Sequence, residues 1–195
     1  MKNFINISDH SSGDLRAIID EAKTRKLSRK GFKKSAPDDD KPFEGMSIAM
    51  IFEKPSTRTR VSFEVGMKQL NGDVVILDPG DTQLGRGESL QDTIKVLGRY
   101  VDLIMYRGSE EKKLYEMTDF SPIPIINGLT DSSHPCQILA DIMTLEENFK
   151  SLGAIEFIFI KSSSFLSSSS DLLNSGLSSK WSSIDLLFLP VTNII

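Results

Sequence analysis

The chain has 195 residues, of which 39% are hydrophobic and 26% charged, and its formal net charge is -4 at pH 7. These values predict a soluble protein with a substantial core, and the negative balance excludes nucleic acid as an expected partner, because phosphate backbones attract basic surfaces. The polar start and the lack of an apolar run of about 20 residues predict neither a signal peptide nor a membrane span. The single cysteine, Cys136, excludes an internal disulfide. We therefore expect a cytoplasmic protein that binds no membrane.

The first predicted helix covers residues 11–30, where Ser11 or Ser12 offers a cap and apolar residues recur at helical spacing. The segment that follows, SAPDDDKP at residues 35–42, contains two prolines and three consecutive aspartates. Prolines and a run of like charge are typical of loops. We therefore expect a solvated connection here.

From residue 46 onward, short apolar runs alternate with segments of helical character. The runs predict buried strands at residues 46–52, 74–77, 101–106 and 123–126. The other segments predict helices at residues 56–70, 89–100, 111–117 and 135–149. The pair Asn71-Gly72 is a typical exit from the first of these helices. This alternation predicts an α/β fold, a parallel sheet flanked by helices on both faces.

The predicted topology indicates where a ligand should bind. In open parallel sheets, ligands bind beyond the carboxyl ends of the strands. The segments in that position are residues 53–60, 78–88, 107–108 and 127–137. They hold the densest polar and basic chemistry of the chain, so we expect the site among them.

The segment FEKPSTRTR, residues 52–60, has the features of a phosphate site. Ser56 is a suitable N-cap, and the first helical turn leaves N–H groups unpaired at the positive end of the helix dipole. Thr57 and Thr59 add hydroxyl donors, and Arg58 adds a planar guanidinium that can grip two phosphate oxygens. The alternative is an ordinary capped helix. A basic first turn opposes the dipole unless an anion lies nearby, which favours the phosphate site.

Four motifs resemble the aspartate and ornithine carbamoyltransferase family. They are FEKPSTRTRVSFE at 52–64, DTQLGRGESLQDT at 81–93, MYRG at 105–108 and HPCQ at 134–137. The resemblance covers roughly residues 1–155 and implies a parallel α/β carbamoyl-phosphate-binding domain. It also implies that an amine attacks the carbonyl carbon of carbamoyl phosphate and that phosphate leaves. Such a reaction is catalysed by positioning and electrostatics, so we expect no cofactor, no metal and no nucleophilic side chain.

The resemblance implies a role for each motif position. The implied substrate-binding residues are Ser56, Thr57, Arg58, Thr59, Gln83, Arg107, His134, Pro135, Cys136 and Gln137, and the implied catalytic residues are Arg58, Arg107 and His134. Thr59, Arg107 and His134 would reach the carbonyl oxygen, and Gln137 would accept from the carbamoyl amide. Without the surrounding motifs, Arg107 would be interpreted as a surface arginine at the end of a strand. His134 would be interpreted as a residue that caps the helix beginning at Pro135. Cys136 is expected to pack or to offer backbone, since nothing indicates an activated thiolate.

Four charged residues in or near these motifs are expected to be structural, ion-paired or solvated. Arg60 and Glu64 lie four residues apart on the predicted helix, a spacing that allows them to pair. Asp141 and Glu146 are expected to be solvated or ion-paired.

The loop containing Gln83 bears on the assembly and on the amine substrate. The family resemblance implies that this loop reaches the site of a neighbouring subunit, which implies a homotrimer; the alternative is a flexible surface loop. The sequence QLGRGE at 83–88 has a glutamine and no lysine, which favours the ornithine branch over the aspartate branch. Aspartate or another amine, and a non-catalytic phosphate-binding module, are the alternatives.

The resemblance ends near residue 155. The family's second domain carries Ser-Met-Gly and His-Cys-Leu-Pro motifs that bind the amino acid, and neither occurs in this chain. Residues 156–195 instead form an atypical tail, in which 12 of the 22 residues from 162 to 183 are serine. A frame change, a degraded remnant or a short genuine extension would each explain it. We expect the chain to hold the carbamoyl-phosphate half-site and to bind ornithine only with a second domain.

Overall fold

A computed structural model describes residues 2–78 and 88–148 of the chain. Four strands form a parallel sheet in the order β2-β1-β3-β4. The strands are β1 (Ser47–Phe52), β2 (Asp73–Leu77), β3 (Leu103–Arg107) and β4 (Ile125–Leu129). The loop with Gln83 and the predicted tail at 156–195 lie outside the described residues.

Five α-helices accompany the sheet. They are α1 (Ser12–Ser28), α2 (Thr57–Gln69), α3 (Leu90–Leu97), α4 (Glu111–Phe120) and α5 (Pro135–Asn148). Ser11, Ser56 and Ser89 cap α1, α2 and α3 by accepting from a main-chain N–H of the first turn. Asn71 adopts a left-handed φ of 65° just after α2, so the predicted exit is confirmed. In the described ranges, no helix combines the length and apolarity needed to cross a membrane.

Helices cover both faces of the sheet, as predicted. On one face, Ile51 and Tyr106 pack with Ile94 of α3 and Leu114 of α4. On the other face, alternate strand residues pack with α2 and α5, through Phe63, Met67 and Cys136. The central strands β1 and β3 are therefore buried on both faces, which explains why they read as continuous apolar runs.

The first helix packs on α5 rather than on the sheet, where Ile19 and Ala22 meet Leu139 and Met143. Its basic residues are paired: Arg16 and Lys23 both contact Glu146 at 2.5 Å. The expectation that Glu146 is ion-paired is thus confirmed.

One residue of the acidic segment departs from its prediction. Asp38 is 6% exposed, whereas the whole segment was expected to be solvated. Arg25 donates to it at 2.8 Å and Arg29 forms a second ion pair with it. Burial of this carboxylate is tolerated because two guanidiniums compensate its charge, and the solvated-loop expectation was wrong at this position.

The fourth strand begins and ends later than predicted. It covers Ile125–Leu129 instead of residues 123–126, so Asn127 lies inside the sheet and not in the following loop. Phe4 extends the sheet beyond β4: its N–H donates to Ile125 O at 2.8 Å, and its carbonyl accepts from Asn127 N at 2.9 Å. A polar residue in a short strand obscured the apolar pattern that the prediction used.

Candidate anion-binding site

The order of the strands creates a crevice between β1 and β3. The chain leaves β1 towards β2 on one side, whereas β3 continues to β4 on the other. Loops that leave adjacent parallel strands in opposite directions open a crevice at the carboxyl edge of the sheet. Phe52 and Arg107 are register partners at this edge, so the loop before α2 begins beside Arg107.

The first turn of α2 faces this crevice with its donors arranged by a cap. Ser56 accepts from Thr59 N at 3.3 Å. The Ser56 hydroxyl uses a lone pair in this bond, so its hydrogen is still available for an anion. The N–H groups at the start of α2 lack intrahelical acceptors and lie at the positive end of the dipole. The sequence therefore produces a local donor cluster at residues 56–59.

Arg107 connects the end of β3 to this cluster. Its Nη1 donates to the hydroxyl of Thr59, which is 5% exposed. Burial, followed by the nearby charge of Arg58, lowers the pKa of Arg107, and its Nε is buried without a partner among the residues described. Arg58, which is exposed, thus adds positive potential at the half-buried guanidinium of Arg107. Their mutual repulsion is relieved when an anion binds between them.

His134 lies within the influence of Arg107. Burial and then the charge of Arg107 lower the pKa of His134 to about 4, so the imidazole is neutral at neutral pH and carries one N–H. Its Nδ1 is buried without a partner in the described part of the chain. We call Ser56, Thr57, Arg58, Thr59, Arg107 and His134 the anion cradle.

The first turn of α5 brings the rest of the HPCQ motif to the same edge. Pro135 opens the helix, a position where its missing N–H costs nothing. Cys136 is 4% exposed, and burial raises the pKa of its thiol to about 12. The side chain therefore packs as an uncharged thiol, in agreement with the expectation. Gln137 donates from Nε2 to Asp141 Oδ1 at 2.9 Å.

Arg60 lines a surface pocket together with Ser56, Thr57 and Asp78. It forms an ion pair with Asp78, and its guanidinium lies 5.1 Å from the centroid of the Phe52 ring. Glu64 pairs with Lys68 at 2.7 Å. The expectation that Arg60 and Glu64 are structural is confirmed, since both form ion pairs within the domain.

Ion pairs tie the loops around the cradle to one another. Lys54 contacts Asp131 at 3.0 Å, which joins the loops after β1 and β4. Glu53 pairs with Lys113, which joins the loop after β1 to helix α4. Glu53 and Lys54 belong to the FEKPSTRTR motif that the sequence analysis singled out. Nothing in the sequence indicated that their partners lie 60 residues later for Glu53 and 77 residues later for Lys54.

A second polar group was not found from the sequence. Asn127, Ser133 and Glu111 form hydrogen bonds just before His134. The signal available was the polar residue Asn127 directly after an apolar run, which was assigned to a loop. Gln83, the remaining candidate, lies outside the residues described. Among residues 2–78 and 88–148, no group of three His, Cys, Asp or Glu side chains is placed to hold a metal ion.

This fold and site define a class of protein: a parallel α/β domain with a basic, partly buried anion cradle at the crevice between β1 and β3. Residues 2–147 match the model of the family described as aspartate/ornithine carbamoyltransferase, carbamoyl-P binding domain. That match covers most of the chain, and the protein belongs to this family.

Similar proteins agree with that assignment. The chain is 52% identical over 148 residues to the ornithine carbamoyltransferase of Ruegeria pomeroyi, an overlap of 76% of this chain and 48% of that protein. It is 52% identical over 147 residues to the one from Rhizobium meliloti, which covers 75% and 47%. The ornithine carbamoyltransferase structure from Pyrococcus furiosus superposes with a TM-score of 0.70 at 44% identity, over 75% of this chain and 45% of that one. The chain thus spans about half the length of these relatives.

Proposed function

We propose that this chain binds carbamoyl phosphate in the anion cradle and provides half of an ornithine carbamoyltransferase site. The proposal is supported by the hydrogen bond from Arg107 to the Thr59 hydroxyl, in the first turn of α2 that Ser56 caps. Burial and then the charge of Arg58 lower the pKa of Arg107, and burial and then the charge of Arg107 lower the pKa of His134. Such an arrangement is costly when empty and favourable when a dianionic phosphate occupies it. Membership of a family named for its carbamoyl-phosphate-binding domain supports the same ligand.

We assign different residues of the cradle to the phosphate group and to the carbamoyl group of the ligand. The donors at residues 56–59 take the phosphate, at the start of α2. Arg107, His134 and the Thr59 hydroxyl face the carbonyl oxygen, where negative charge develops when an amine attacks. A neutral His134 donates a hydrogen bond there without adding a third full charge. The side-chain oxygen of Gln137 accepts from the carbamoyl amide.

Ornithine is the proposed amine, and its binding requires residues that the described domain does not supply. The relatives are named ornithine carbamoyltransferase, and this chain spans about half of them. We therefore propose a carbamoyl-phosphate domain at residues 1–155 and no turnover of ornithine to citrulline by the 195-residue chain alone. Gln83 would complete the site from a neighbouring copy in a trimer.

Isothermal calorimetry of the purified chain with carbamoyl phosphate and inorganic phosphate tests the proposal. Arg107→Met should weaken carbamoyl phosphate binding about 10- to 100-fold, because it removes hydrogen bonds to a charged ligand. Arg99→Met is the matched control: Arg99 is exposed and precedes β3, at the opposite edge of the sheet. Equal affinities for both variants would contradict the proposed site.

A bisubstrate analogue separates the half-site from a complete one. If the analogue binds no tighter than carbamoyl phosphate, the chain holds only the carbamoyl-phosphate half. Citrulline production by the purified chain would overturn the proposed incompleteness. Binding of inorganic phosphate with no preference for carbamoyl phosphate would instead favour the non-catalytic phosphate-binding module.

A further inference from the structure

A chain of hydrogen bonds beside the cradle ends at the residue that precedes His134. The Ser133 hydroxyl donates to Glu111 Oε1 at 2.6 Å, in the first turn of α4. It accepts from Asn127 Nδ2 at 2.9 Å, in β4. The same Glu111 oxygen accepts from Asn6 Nδ2 at 3.1 Å. Ser133 is therefore tied directly to α4 and β4, and through Glu111 to Asn6 near the start of the chain.

The carboxylate gives this chain of bonds a direction. An ionised carboxylate only accepts hydrogen bonds, so the hydroxyl hydrogen of Ser133 points to Glu111 and its lone pairs face Asn127. Asn127 uses its amide hydrogens on Ser133 and on the main-chain oxygen of Ile5, at 3.0 Å. Charge-assisted bonds of this kind are shorter and stronger than neutral ones, so the Ser133 hydroxyl is held in one orientation.

Asn127 also holds the other side of His134. The thiol of Cys136 donates to the main-chain oxygen of Asn127 at 3.7 Å, and Asn127 is 0% exposed. One buried residue thus contacts the residue before His134 and the residue two positions after it. The N–H of Ser133 donates to the Thr130 hydroxyl at 3.1 Å and closes the turn between β4 and α5.

We propose that Ser133 is a positioning residue for His134: its hydroxyl, held by Glu111 and Asn127, fixes the turn that places the imidazole beside Arg107. Ser133 contacts no ligand in this assignment and acts only through His134. The consequence for carbamoyl phosphate rests on the proposed function, in which His134 donates to the carbonyl oxygen. The placement of the His134 imidazole by Ser133 does not depend on that function. It can therefore be tested independently of carbamoyl phosphate binding.

Histidine titration by NMR on the full chain tests the placement. The chain has two histidines, His10 and His134, so His10 is an internal reference in every spectrum. In Ser133→Ala the pKa of His134 should rise from about 4 by roughly one unit or more, because the imidazole gains solvent and moves from Arg107. Ser133→Thr keeps the hydroxyl and should restore the wild-type titration. Ser132→Ala, at an exposed neighbouring serine, should leave it unchanged.

A purely structural role predicts a different pattern. Ser133→Ala would then lower the thermal midpoint and leave the His134 titration as in wild type, and that result overturns the proposal. If Ser133→Ala does not fold, Glu111→Gln decides, because it keeps an oxygen but removes the charge that orients the hydroxyl. A rise in the pKa of His134 in that variant supports the proposal, and an unchanged titration overturns it.

Calorimetry then measures the effect on ligand binding. In Ser133→Ala, inorganic phosphate should bind within about twofold of wild type, since the donors at residues 56–59 are intact, while carbamoyl phosphate should bind about tenfold more weakly. Equal loss for both ligands would overturn the selective role. If the wild-type chain does not bind carbamoyl phosphate, the proposed function is wrong. The NMR titration of His134 still tests whether Ser133 positions the imidazole.

Discussion

The side-chain amide of Gln137 is oriented by its neighbour one helical turn later. Gln137 Nε2 donates to Asp141 Oδ1 at 2.9 Å, and an ionised carboxylate offers no hydrogen to bind the amide oxygen. The nitrogen therefore faces Asp141. The oxygen is left for a donor, such as the NH2 group of a carbamoyl moiety. Burial raises the pKa of Asp141, and the bond from Gln137 opposes that rise.

Asp141→Asn should reduce the preference for carbamoyl phosphate over acetyl phosphate. Asparagine can donate as well as accept, so the Gln137 amide can then reverse and present its NH2 group to the ligand. We expect the dissociation constant for acetyl phosphate, divided by that for carbamoyl phosphate, to fall about tenfold. That factor corresponds to roughly one hydrogen bond to a charged ligand. Competition calorimetry with both phosphates measures it. Gln137→Ala is the control, and a ratio that Asp141→Asn leaves at the wild-type value contradicts the orientation.

The packing of α1 on α5 has a built-in acid sensitivity. Hydrogen bonds from Arg16 and from Lys23, partly offset by burial, lower the pKa of Glu146 from its ordinary value of 4.5 to about 2. A carboxylate whose pKa is lower in the folded state stabilises that state above the unfolded pKa. This stabilisation is lost as the pH falls from about 4.5 to about 2.

Glu146→Gln should remove that acid-dependent contribution. The Glu146 side chain is 9% exposed, but Arg16 and Lys23 are 41% and 30% exposed, so solvent screening limits the gain. We expect the free energy of unfolding to fall by about 1 kcal/mol at pH 7 and to match wild type near pH 2. Urea unfolding across this range measures it. Glu147→Gln, which loses one pair of 40% and 32% exposed side chains, should have less than half the effect, and equal effects would contradict the assignment.

At the scale of elements, the sequence predicted the type and order of the helices and strands from residue 46 onward. The apolar run SIAMIF predicts a buried strand clearly, because both faces of a central parallel strand are buried and no polar residue interrupts the pattern. The end of β4 was missed because Asn127 is polar, and it is buried only since Ile5 and Ser133 supply partners from elsewhere. Local patterns predicted the cap of α2. Contacts such as Arg107 with Thr59, 48 residues apart, required the fold.

At the scale of the whole molecule, the segment around Phe4 extends the sheet beyond β4. The N–H of Phe4 donates to Ile125 O at 2.8 Å, and its side chain packs against two of the core clusters. Without this segment, β4 would be an exposed sheet edge, which favours unwanted strand pairing.

Phe4→Pro should destabilise the protein by about 1–3 kcal/mol more than Phe4→Ala. Both variants lose the aromatic ring, but only proline removes the N–H and leaves the Ile125 carbonyl without its donor. Urea unfolding of the two variants measures the difference. Equal stabilities would show that the main-chain bond from Phe4 contributes nothing.

The pairing of Phe4 and Asn6 with partners more than 100 residues later also sets an order of events during translation. At about 5–20 residues per second, the ribosome needs on the order of ten seconds to make the stretch between these partners. Phe4 and Asn6 are therefore synthesised well before their partners. A nascent chain that ends before β4 lacks the partners of Phe4 and also lacks His134, so its anion cradle is unfinished.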